Sequence, residues 1–261
     1  MSDNLSSEAE PQRLKAKRGL APVVFGLSFV APVALLGTMM ATNVGVFSYE
    51  LGFRTLALGV IPKLAIAVAV ISVLSLLISL FKNPKKYGLW ALGAVVVSGL
   101  MLAGCYTYDL RLKTLPPIYD VATNWERPVT FSAKLLEARG PQSHPVIDNP
   151  VVPDNQVDQW AGRRVADINK QTCAGAVTVP GRAPVEKVVE ILKNEGYVVF
   201  GRSDWRVEAF YEDPYFGFKS DVVVRMEPNG TDVRSVSRLE PVDLGGNCKR
   251  VTKLVKLISA L

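Results

Sequence analysis

The sequence predicts three transmembrane α-helices followed by an extracytoplasmic α+β domain, a mostly antiparallel sheet with helices packed on one face. Three observations carry this expectation: uncharged apolar runs confined to the first 108 residues, basic residues gathered on one side of those runs, and regular helix and strand periods after residue 173. The organisation read from them is a cytoplasmic tail over 1–20, a membrane domain over 21–108, a proline-rich arm over 109–155 and the α+β domain over 156–261.

The apolar runs cover 21–48, 64–81 and 88–108. At a rise of about 1.5 Å per residue, each can cross a hydrocarbon core of about 30 Å. Buried helices of a soluble protein would carry a polar stripe at helical spacing, and none of the runs has one. Arg13, Lys15, Lys17 and Arg18 precede the first run, and Lys82, Lys85 and Lys86 separate the second from the third. The loop between the first two carries only Arg54 and the boundary residue Lys63. This bias places the N-terminus in the cytoplasm, and an odd number of spans then places everything after Tyr108 outside it. The N-terminus lacks the short apolar core and early cleavage site of a secretory signal. A bacterial inner membrane, with the C-terminal domain in the periplasm, is the location expected.

The formal net charge is +6, but it is unevenly spread. Before Asp109 there are 9 Lys and Arg against 4 Asp and Glu, and from Asp109 onward 21 against 20. The excess therefore belongs to the membrane portion, where topology explains it. A nucleic-acid binder would need a basic face on its folded domain, so that class is set aside. Membrane lipids and an envelope protein are the partners expected.

Between 115 and 155, Pro116, Pro117, Pro128, Pro141, Pro145, Pro150 and Pro153 interrupt every period. Proline lacks a backbone donor and restricts the residue before it, so this is an irregular arm that either packs on the domain or loosely tethers it. Val157, Trp160, Ala161, Arg164, Val165 and Ile168 then recur at helical spacing. Next come a strand over 174–181 ("AGAVTVPG") and a helix over 183–196 that has Pro184 in its first turn and Gly196 as its stop. Strands follow at "YVVFGR" and "WRVEAFYED", then a hairpin, then a C-terminal helix with Val251, Leu254, Val255 and Ile258 as its apolar stripe. That helix also carries Lys249, Arg250, Lys253 and Lys256, a basic side that solvent or an anionic membrane could meet.

The hairpin "VVVRMEPNGTDVRSVSR" over 222–238 holds the sharpest chemistry. Asn229-Gly230 is a strong type I′ turn signal, and counting outward from it sets Arg225 opposite Arg234 and Asp221 opposite Arg238. Val222, Val224, Met226, Val233, Ser235 and Ser237 fall on the other face. Two readings stay open. In one, Glu208, Asp221 and Asp243 satisfy the arginines in a structural charge ladder. In the other, Arg225, Arg234, Arg238, Asn247 and Arg250 line a site for a phosphate or carboxylate, since guanidinium forks bind such groups in a bidentate way. "DLGGN", with Asp243 and Asn247, reads as a capped helix start that could complete such a site.

Conventional catalytic constellations are missing. The single histidine, His144, lies in the arm, which excludes a metal centre with several histidine ligands. Ser203, Ser235 and Ser237 have no nucleophile motif, and no phosphate-cradling loop is present. No cofactor is expected. Cys173 and Cys248 are candidates for a disulfide in an oxidising compartment, or else two small buried residues. Cys105 ends "LAGC" after a basic start and an apolar middle, which resembles a lipoprotein signal placed internally; an ordinary span is the commoner reading.

The segments "YDVATNWERP", "KSDVVVRM", "DVRSVSR" and "DLGGNCKRV" together resemble the family called domain of unknown function 1499, over roughly 117–261. The resemblance implies an α+β domain, often behind membrane helices, and no established activity. The function expected is a non-catalytic binding or scaffolding domain. Alternatives are an anionic small molecule or lipid headgroup bound at the arginines, and an undescribed envelope hydrolase.

Overall fold

A computed structural model of the chain describes residues 19–154, 159–239 and 243–261. The chain divides into two compact units, one built on Pro62–Leu102 with the chain up to Val33, the other on Ala34–Ile61 and Ala103–Leu261.

Three helical stretches among the described residues are long and apolar enough to cross a membrane: Leu20–Asn43, Glu50–Lys82 and Pro84–Thr114. The first comprises α1 (Leu20–Ser28) and α2 (Val30–Asn43). The second begins well before the apolar run at 64, because a π-helix over Glu50–Val60 leads directly into α3 (Ile61–Lys82). Pro62 has no N–H to give and crowds the turn before it, and the wider π turns lie immediately upstream of it. The third is α4 (Pro84–Thr114). In the first unit, small residues let helices approach: Ala91 and Ala94 are fully buried, and Ser72 and Ser98 share a buried hydrogen bond of 3.0 Å.

The second unit holds a five-stranded antiparallel sheet of order β1-β5-β4-β3-β2: β1 Asp120–Ala122, β2 Val198–Ser203, β3 Arg206–Glu212, β4 Lys219–Glu227 and β5 Gly230–Ser237. On one face lie α6 (Val165–Thr172), α7 (Val185–Asn194) and α8 (Gly246–Ile258), closing a core that includes Val188, Leu192, Val207, Val222, Val224, Val233 and Leu254. The proline-rich arm covers the other face. It supplies α5 (Ala133–Arg139) and packs Val129, Phe131 and Leu135 against Val223 and Val236. The sheet is thus an α+β layer whose second face is closed by irregular chain.

Three sequence expectations change here. The strand over 174–181 is only the isolated bridge Val179↔Thr231, and the fifth strand is β1, drawn from the arm. The helix read over 157–168 starts at Val165, because Gly162 at φ +70 and the bridge Val151↔Arg164 hold the preceding residues in turns; Val157 lies outside the described residues. The hairpin register also differs by two. Glu227 pairs with Gly230, so Pro228-Asn229 form the turn, and Arg225 stands opposite Asp232 while Arg234 stands opposite Val223. Pro228 has the fixed negative φ that suits the first central position of a common turn, and Asn229 is not left-handed. Gly230 answers a different need: a Cβ there would lie 2.6 Å from Thr178 Cγ2 and 3.2 Å from Val179 O. An even shift leaves each side chain on its face, so the division between charged and apolar faces survives.

Candidate functional site

The two arginines of the hairpin do not face each other. Arg225 donates to Asp232 at 2.7 Å and to the carbonyl of Arg127 at 2.8 Å. Arg234, fully buried, makes a bidentate pair with Asp120 at 3.0 and 2.6 Å and also donates to the carbonyls of Val129 and Ile147. Its guanidinium lies over the rings of Trp125 and Phe131. Arg238 binds Asp221 in bidentate fashion at 2.9 and 2.7 Å and donates to the carbonyl of Ala138. Arg139, from α5, pairs with the same Asp221 and donates to the carbonyls of His144 and Ser237.

These contacts have one physical logic. A chain broken by prolines cannot satisfy its carbonyls through secondary structure, and a buried carbonyl without a donor is costly. Arginine forks reach from the sheet and supply the donors, while carboxylates on β1, β4 and β5 neutralise their charge. Glu208 works from the carboxylate side: it accepts from the backbone N–H and hydroxyl of Ser132, the residue that caps α5. His144 stacks on Tyr119 with ring centroids 4.0 Å apart, so it too joins the arm to β1's edge.

Asn247 and Arg250 lie on the opposite, helix-bearing face. Asn247 is fully buried, donates to Tyr119 O and Ser237 Oγ, and accepts from Ser235 Oγ and Arg250. Arg250 also donates to Ser220 Oγ at 2.9 Å. The five residues of the expected anion site are therefore split between two faces of one sheet and form no single pocket wall. Asp243 caps the start of α8, accepting from the N–H of Gly245 and Asn247, and it also feels the charge of Arg250. Asp120, Asp232 and Arg139 were missed as partners. Asp120 sits in the quoted segment "YDVATNWERP", but nothing local ties it to a residue 114 positions away.

Cys173 and Cys248 are joined by a disulfide with Cα atoms 5.7 Å apart. Cys105 is a free thiol inside the continuous helix α4.

Burial pushes the Asp243 carboxyl above its usual range, against the lowering by its N–H donors. Folded Asp243 thus binds its proton more tightly than the unfolded chain does. Its contribution to stability is complete below the ordinary Asp pKa of about 3.9 and is lost as pH rises through the raised folded value. The stability of the wild type relative to Asp243→Asn, from chemical denaturation in detergent, is expected to fall with rising pH in the window above about 3.9. A relative stability that climbs across that window would contradict this assignment.

The family model described as "Protein of unknown function (DUF1499)" matches residues 120–258. The chain belongs to this family. The match begins at β1 and takes in the arm, so the DUF1499 domain includes the segment that the arginines hold. No curated protein and no solved structure matches the chain.

Proposed function

We propose that this DUF1499 protein is an integral protein of a bacterial inner membrane whose C-terminal domain lies in the periplasm and acts as a non-catalytic binding or scaffolding module. One observation carries the second half: the arginines and carboxylates best suited to bind an anion or move a proton are spent on holding the arm to the sheet. What they build is a rigid, charge-compensated platform. The first half is supported by the three apolar helices, by the basic residues on one side of them, and by a disulfide suited to an oxidising compartment.

The test has two parts. A periplasm-active reporter fused after Leu261 should be active, and a cytoplasmic signal there would reverse the topology. Gentle solubilisation and purification of the full chain should retain a stoichiometric protein partner, and its absence together with substrate turnover would favour an enzyme instead.

A further inference from the structure

The second unit contains, besides the sheet, the ends of the helical stretches that carry the chain out of the membrane. The β3–β4 loop over 213–218 is docked on them. Asn43 Nδ2 donates to the carbonyls of Asp213 and Pro214, and Phe53 sits among Tyr49, Tyr108, Phe216 and Phe218 with ring centroids 5.1 to 6.5 Å away. The loop is internally fixed: Asp213 Oδ2 accepts from the N–H of Tyr215 and Phe216, and Gly217 N–H donates to Asp213 O. Gly217 has φ +72, and a Cβ there would stand 3.2 Å from the backbone of Asn43, so both conformation and proximity demand glycine.

Beside this dock, Tyr215 is 64% exposed, and Val44 and Val46 in the neighbouring connector are each 72% exposed. Fully solvated, such apolar side chains at a fixed location gain nothing. They do gain at the depth where the spans leave the hydrocarbon, where Tyr carries an apolar ring and a polar tip and is favoured. The connector follows directly on α2, which ends at Asn43, the C-terminal end of the first apolar stretch. We propose that the 213–218 loop and the Val44–Val46 connector form a lipid-contacting rim that enters the phospholipid headgroup layer on the side of the outer domain. The rim fixes the domain's orientation on the bilayer through a second contact besides the covalent link. This rests on the membrane reading proposed above.

The experiment uses the full chain with Cys105→Ala and the disulfide intact, reconstituted in phosphatidylethanolamine and phosphatidylglycerol vesicles. Single cysteines at Tyr215, at Ser203 and at Leu77 in α3 carry an environment-sensitive fluorophore. Ser203 lies beyond the far end of the seven-residue β3, about 24 Å along the strand. Nitroxide on the lipid headgroup should quench the label at 215 about twofold or more above that at 203, and acyl-chain nitroxide should quench the label at 77. Equal quenching at 215 and 203 with a quenched label at 77 overturns the rim while leaving the membrane reading intact. An unquenched label at 77 overturns both.

Discussion

Arg234→Ala is expected to cost the C-terminal domain about 3–5 kcal/mol, the range for breaking a buried ion pair by removing one partner. Arg234 is 0% exposed and Asp120 1%, so truncation leaves a carboxylate in a site that water does not reach. It also strips donors from the carbonyls of Val129 and Ile147 and removes the cation from the faces of Trp125 and Phe131. If the residue served instead to bind a ligand anion, its removal would leave the empty domain about as stable as before. Thermal melts of the detergent-solubilised protein with and without phosphate separate the two: destabilisation without a phosphate response in either form is expected. The double change Asp120→Ala, Arg234→Ala removes both charges, and its loss should be smaller than the sum of the losses of the two single alanine variants. Additive losses would mean that the pair is not coupled.

The spans, α7, β2, β3 and the C-terminal helix were legible because each imposes a local period or an uncharged length with one physical meaning. The apolar face of α7 repeats at Val188, Val189 and Leu192, and all three are buried. β1 was not legible. It is three residues long and has no alternation to read. Its place beside β5 depends on tertiary contacts such as Asn169 reaching Asp120 O and Arg234 reaching Asp120. The hairpin shows how two local signals compete. Asn-Gly and Pro-Asn both specify tight turns; the Pro-Asn turn forms, and Gly230 in β5 packs close to Thr178 and Val179, a contact that no local pattern encodes. At the site, the sequence revealed which strands carry arginine but not where the arginines go. Besides their carboxylates, Arg225, Arg234 and Arg238 each donate to backbone carbonyls of the arm, and every residue type has one.

The second large effect is expected at the disulfide. Cys173 lies at the end of α6 and Cys248 in the first turn of α8, 75 residues apart in sequence. Closing a loop of that length removes conformational freedom from the unfolded chain worth about 4.5 kcal/mol in the chain-entropy model, within the usual loss of about 2–5 kcal/mol when a native bond is deleted. The loop spans α7 and β2 to β5, so most of the sheet belongs to the constrained segment. The double variant Cys173→Ala, Cys248→Ala should therefore lose stability by that amount in chemical denaturation. Reductant should destabilise the wild type similarly and leave the variant unchanged. Cys173 is buried and Cys248 half-buried, and alanine removes one sulfur from each without leaving a charge; the Thr252 hydroxyl, 3.7 and 4.0 Å from the two sulfurs, loses only these weak partners. A loss in the variant larger than that of reductant-treated wild type would point to packing at Cys173 rather than to the bond. Alkylation of denatured, unreduced protein taken from membranes supplies the independent check. Label should enter Cys105 alone, and equal labelling of Cys173 and Cys248 would show that the domain does not carry the bond in the cell.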